Sequence, residues 1–346
     1  MNPTTAHPLN QAKLIQGITM HDMSDALRQY IRTLGRRTAK KLSHPKKTQY
    51  SERRPKSSPH MNIHSETPPI EPPFLPPELE QLIFETTADM YPKSIFTLLQ
   101  VARRVHIWVQ PLLFRVIRVN THNKALINIL KTGKTDSKRP DHPYGHVCHL
   151  ALESIHNCSV DEGGLILELC TNVIDLGLNS WFTDPALLPV LGTLQLRRLA
   201  VNLRVLFGQS PIDLRHPLFH SITHLDIFRV EGIVDILPEL SGLPGLTHLA
   251  LDSDLPREKL LGVLSGSGCA ELEVLLVQWQ RFEKEEYRSA KVPCVYDVRF
   301  VIAIYSDYWA EWENGARGRE DSWSRADEFV RRKRKREVEE TRYWIN

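Results

Sequence analysis

The sequence predicts an α/β chain in which short parallel strands, joined by partly helical returns, stack into one sheet behind a group of N-terminal helices. Three observations predict it. A Leu-x-x-Leu-x-Leu pattern, with Val and Ile allowed, recurs six times in one phase. A dense apolar stretch with helical periodicity, Phe74 to Asn120, precedes that pattern. A basic, proline-rich segment precedes both.

Residues 1–70 read as a disordered basic tail. Eleven of the 23 prolines lie within 1–77, and the first tryptophan is Trp108. Residues 1–66 hold 12 Lys+Arg against 4 Asp+Glu, a net +8 in a chain of net +3, so the remainder carries −5. Arg36–Lys56 has too few large apolar side chains to offset chain entropy. Met23, Leu27, Tyr30 and Leu34 fit one weak helix within Ile18–Leu34. The basic stretch reads as a solvated tail or as an arm for nuclear import or polyanions, and both readings stand. A mildly acidic remainder gives no support to a DNA-binding globular domain, so nucleic acid is expected at most as a tail contact. No apolar run approaches ~20 residues, and no membrane span is expected. An h-region before a cleavage site is missing, and five scattered cysteines (148, 158, 170, 269, 294) form no CxxC pair. The expectation is a cytoplasmic or nuclear protein with reduced thiols.

Residues 71–116 predict a helical module. Pro77 suits a first helical position, and Leu79, Leu82, Ile83 and Thr86 make an i, i+3, i+4, i+7 stripe over 77–88. Pro92 ends that helix. Ile95, Leu98, Leu99, Ala102 and Val105 give a second helix over about 93–105, and Ile107–Phe114 a third. Three short helices cannot form a large core alone and suit docking onto something.

Leu75-Pro76-Pro77-Glu78-Leu79, Ile83-Phe84, Leu98-Leu99-Gln100-Val101-Ala102-Arg103-Arg104-Val105 and Trp108 resemble an F-box over about 45 residues. The chain departs from the family where an Asp is common before the second helix and Pro92-Lys93-Ser94 stands instead. The resemblance implies that this module binds the Skp adaptor of a cullin-RING ubiquitin ligase, through Leu75, Pro76, Leu79, Ile83, Leu98, Leu99, Val101, Val105 and Trp108.

Residues 117–305 carry the repeat. The central leucines are Leu150, Leu176, Leu199, Leu225, Leu249 and Leu275, spaced 26, 23, 26, 24 and 26 apart. That period is leucine-rich-repeat-like. One strand cannot hide its leucines alone, whereas parallel neighbours bury them as a continuous ladder. Weaker copies flank the set at Phe114/Ile117/Val119 and Ile302/Ile304. Helical returns are expected over Asp161–Cys170, after Asp184-Pro185, over Ile233–Leu240 and over Pro256–Leu264. None is expected after Val201, because Gly208, Pro211 and Pro217 follow. The Asn usual three positions after the last strand leucine is absent, so the solenoid is irregular. Val298–Tyr305 is the expected last strand. Residues 306–346 are expected to be a helical cap or tail, helical over Ser322–Trp344, with six basic residues at 331–336. Module, irregular repeats and this terminus together resemble the large fungal group of F-box proteins.

Chemistry is sparse. His142, His146, Cys148, His149, His156 and Cys158 cluster, but Cys148 and His149 face opposite sides of a strand and no second pair completes a metal site. No P-loop, GxSxG, HExxH or GxGxxG motif occurs, and the chain reads as non-catalytic, with no cofactor. The strand positions opposite the leucines are more informative. His149, Asp175, Arg198, His224, His248 and Val274 form one column, and Ala151, Gly177, Ala200, Asp226, Ala250 and Leu276 the next. Glu153, Asn179, Asn202, Phe228, Asp252 and Gln278 form a third. Small residues flanked by charged and aromatic ones suit a concave protein-binding face. Asp175, Arg198, His224, Asp226, Phe228, His248 and Asp252 are the expected client contacts. The expected function is a substrate-recognition adaptor that joins Skp and a cullin scaffold to a protein client. The alternative is a repeat scaffold whose N-terminal helices only cap the stack.

Overall fold

A computed structural model describes residues 75–120, 143–153, 159–240, 242–252, 255–265, 271–280 and 295–345. The expected tail, the Ile18–Leu34 helix, His142, His156 and Cys158, Cys269 and Cys294 lie outside the described residues. The chain divides into a unit ending at Val109 and a unit from Gln110 onward. That division falls earlier than the 116/117 boundary read from sequence, and residues 306–345 belong to the second unit.

The first unit contains α1 (Pro77–Met90), α2 (Ile95–Leu98) and α3 (Arg103–Val109). Pro77 opens α1 as expected. The second helix is shorter than the 93–105 expected from the stripe. A 3-10 turn at Pro92–Ser94 leads into α2, and Gln100 and Val101 close onto the carbonyls of Thr97 and Leu98. These i→i+3 bonds tighten the chain and end the helix. Ala88, Ile95, Leu99, Val105 and Val109 are buried. A bidentate pair from Arg104 to Glu80, at 2.8 and 2.6 Å, ties α3 to α1 and holds the Glu80 carboxyl below its ordinary range.

The second unit is built on one nine-strand parallel sheet whose strands lie in sequence order. They are β1 (Val116–Val119), β2 (His149–Leu152), β3 (Asp175–Leu178), β4 (Arg198–Val201) and β5 (His224–Ile227). Then follow β6 (His248–Leu251), β7 (Val274–Gln280), β8 (Phe300–Tyr305) and β9 (Trp344–Ile345). Leu150, Leu176, Leu199, Leu225, Leu249 and Leu275 are Cα partners down the sheet, then Phe300. All are essentially buried. The 23–26-residue spacing thus places like residues side by side, as a ladder needs.

Returns pack on the leucine face: a Cβ on Gly163 would stand 3.2 Å from Leu152 Cδ1. They include α4 (Val160–Leu169), α5 (Leu188–Leu191), α6 (Leu203–Phe207), α7 (Leu237–Leu240) and α8 (Arg257–Ser265). Ser159 and Glu162 form a capping box at the start of α4, and Asp184 caps the turn at Pro185–Leu187. α6 was not expected. It fits between Val201 and Gly208 because Asn202 caps it and Gly208 ends it at φ +60°.

The C-terminal segment departs most from expectation. α9 (Tyr308–Ala316) lies within the expected helical cap, and α10 (Ser322–Arg334) stops ten residues short of Trp344. The chain then enters β9, so β8 is not the last strand. Both helices lie on the sheet face opposite the leucines.

Candidate functional site

α1 packs with an unexpected face inward. Ala88 is buried and Gln81, Phe84 and Glu85 are half-buried, whereas Leu79, Leu82 and Ile83 are 49%, 59% and 51% exposed. An apolar stripe at helical spacing therefore meets solvent, and Val101 (56%) and Ile107 are exposed as well. Of the residues expected to hold Skp, Leu75, Pro76, Leu79, Ile83 and Val101 are exposed; Leu98 and Trp108 are half-buried. Leu99 and Val105 are corrections: at 7% and 0% exposure they hold the module together and offer no contact surface. Leu82 and Ile107 belong to the exposed set, and the stripe's own period already contained Leu82.

In the second unit the expected client face is covered by the chain's own C-terminal helices. Trp312 Nε1 donates to Asp175 Oδ1 at 3.0 Å, and His149 Nδ1 lies 3.2 Å from Asp175 Oδ2. Tyr308 Oη donates to Asp226 Oδ2 at 2.7 Å. His248 Nε2 lies 2.8 Å from Asp327 Oδ1, and Arg198 lies 3.7 Å from Asp321. The His224 and His248 rings stack at 4.0 Å, with Trp323 edge-on to both. Phe228 meets the rings of Tyr308 and Trp309. Asp175, Asp226 and His248 are buried at 4%, 4% and 7% exposure. The alternation assigned these side chains to the correct face, but that face is not open.

Asp252 is corrected differently. Its carboxylate accepts from Arg229 N at 2.9 Å and Val230 N at 3.4 Å, closing the preceding turn, where Arg229 is left-handed at φ 59°. Asn202 likewise accepts from Val205 N, and Asn179 from Trp181 N. Asn179, Asn202 and Asp252 of the third column therefore sit at strand exits, where short polar side chains satisfy backbone donors.

Small residues in the middle column do permit close approach, by Trp309. A Cβ on Gly177 would stand 2.6 Å from Trp309 Cζ3. Arg118, which the sequence reading left out, continues this column in β1. Its guanidinium donates to Glu153 at 2.6 Å and lies within 4 Å of Asp307 and Glu313 at the two ends of α9.

Desolvation dominates the electrostatics under these helices. Burial pushes Asp226 up to about 7 against the Tyr308 hydrogen bond that favours ionisation; Asp252 raises it further, and the amide of Gln278 lowers it. Its Oδ1 has no well-aligned hydrogen bond. Burial, with the nearby His248 and Arg198, pushes His224 down to about 2. The cavity that these residues border holds about 30 Å³, room for water and for nothing larger. Among the described residues, no group of three or more His, Cys, Asp or Glu could hold a metal. Burial pushes the Cys170 thiol up to about 12, so it is an inert packing residue. Among the described residues, no helix is long and apolar enough to cross a membrane.

No protein-family model matches the chain, and no curated protein matches it.

Proposed function

We propose that this chain is a non-catalytic substrate-recognition adaptor of a cullin-RING ubiquitin ligase. Its N-terminal helices would be an F-box module that holds Skp. Its parallel sheet and returns would be an irregular leucine-rich-repeat solenoid that presents a protein client. One observation carries the reading: the apolar stripe of α1, together with Val101, is exposed at the positions where the F-box resemblance places the adaptor contact. Contiguous apolar side chains at a surface mark interaction sites.

The test is a binding titration of the full chain against purified Skp, with and without cullin. Wild type is expected to bind at micromolar concentration or better. Leu79→Asp with Ile83→Asp is expected to abolish binding, because an unpaired charge at an apolar contact costs several kcal/mol. Both positions are exposed, so the melting temperature is expected to hold. Leu99→Asp is expected to unfold the module instead. An absence of wild-type binding would end the adaptor reading.

A further inference from the structure

With the sheet face covered, a groove beside α10 offers an open concave surface among the described residues. It holds about 630 Å³, within the range of pockets that enclose drug-sized ligands. Arg319 reaches it from the turn between α9 and α10, Arg332 from α10, and Arg342 from the approach to β9. Phe329 and Trp344 also line it. Three separate chain segments therefore surround one groove with guanidinium groups.

These charges are poorly neutralised from within. Among the described residues, Arg319 and Arg342 have no ion-pair partner, and Arg332 lies 3.5 Å from Glu337. Of the groove's two glutamates, Glu328 is held by Arg331, leaving Glu320 to oppose. Arg325 also lines the groove, and its buried Nε has no partner although its Nη2 is bound to Glu311. Guanidinium forks recognise carboxylates, and the half-buried Trp344 offers an apolar surface beside them, while Phe329 is 9% exposed and packs into the core behind.

We propose that this groove binds an acidic peptide segment, with carboxylates placed around one apolar side chain. It would supply the client contact that the covered sheet face does not offer. The inference rests on the adaptor reading only for the identity of that peptide as a client, and its test leaves Skp out, so the two can fail separately.

The experiment is fluorescence anisotropy with the full chain and a labelled peptide of Asp and Glu residues around a central Leu. Binding is expected to weaken at least tenfold in Arg319→Glu with Arg342→Glu, while Arg334→Glu, outside the groove, binds like wild type. Affinity is expected to fall as salt rises, and a peptide with Lys for each acid is expected not to bind. Equal binding by the double variant and wild type would place the contact elsewhere, the basic Arg36–Lys56 stretch above all, and overturn the proposal. So would an absence of binding. Displacement by millimolar inorganic phosphate would overturn it too, in favour of a phosphate site. Should the double variant lose its thermal transition, Arg319→Gln and Arg342→Gln are read singly, each expected to weaken binding severalfold.

Discussion

The sheet face opposite the leucine ladder has two halves, and they are covered by two different kinds of contact. Over β6–β8, Ala250, Val274, Leu276, Val301 and Ala303 form an apolar surface. Against it pack Ala326, Phe329 and Val330 of α10, with Val338 and Ile345. Over β2–β5 the face carries His149, Asp175, Arg198, His224 and Asp226, and α9 meets it with the polar edges of Tyr308 and Trp312. The first half is a second core. The second is a polar seam in which each buried charge needs a partner, and Asp226 is left only partly satisfied. The lesson is that one helical hairpin is anchored at its apolar end and fitted at its polar end, so truncation and titration should act at different ends.

The largest effect is expected at the apolar end. Leu276→Ala removes a fully buried leucine side chain beneath α10, and about 2–5 kcal/mol of stability should be lost, read by urea denaturation. Leu225→Ala on the other face of the sheet should cost a similar amount. A loss below ~0.5 kcal/mol for Leu276→Ala would mean that α10 is not anchored there.

Gly177→Ala is next. Its new methyl would collide with the Trp309 ring, and overpacking of this kind costs about 1–3 kcal/mol. The change should appear first as altered near-ultraviolet dichroism from the tryptophans. Full stability with an unchanged spectrum would show that α9 does not rest on β3.

His248→Ala should cost about 1–2 kcal/mol, more than a surface change, because the imidazole is buried between Thr247 and Asp327. Equal stability of wild type and variant would break the contrast between buried seam and open surface.

The most specific expectation is a pH dependence at the polar end. Asp226 has a folded pKa of about 7 against an ordinary 3.8, so the folded state holds an extra proton between those values. The group's contribution to stability therefore falls as pH rises from about 4 to 7. His224, pushed down to about 2, acts with the opposite sign, its contribution rising as pH climbs from about 2 to 6.5. Asp226→Asn removes the first titration. The variant should gain on wild type as pH rises, by roughly 1–3 kcal/mol at pH 8, read as the difference between denaturation curves. A difference that stays constant from pH 4 to 8 would place Asp226 in water.

Lys333 shows why charge runs are hard to read from sequence. Six basic residues at 331–336 suggest a solvated helix end or an import signal. Within that run Lys333 is 2% exposed, its Nζ donates to the carbonyl of Phe300 at 3.0 Å, and burial pushes its pKa down to about 8. Helical geometry turns one residue of the run inward beside Phe329 and Val330 while its neighbours face out. The same geometry, read over Leu79, Leu82 and Ile83, identified an apolar stripe but not whether it faced a core or water.

The sequence by itself determined the ladder. Alternation along each strand and a 23–26-residue period decide which side chains share a face and which leucines stand in register, because both rules act over neighbouring positions. A signal for the cover was also present: the first column changes from His, Arg and Asp to Val274, and the middle column ends in Leu276 and its partner Val301, as a face does when it leaves water. What filled the face was decided only in three dimensions. Asp226 meets Tyr308 from 82 positions away, and Asp175 meets Trp312 from 137. Strand alternation separates two faces but does not say whether solvent, a partner or the chain's own end covers either, because that depends on contacts between segments that no local pattern links.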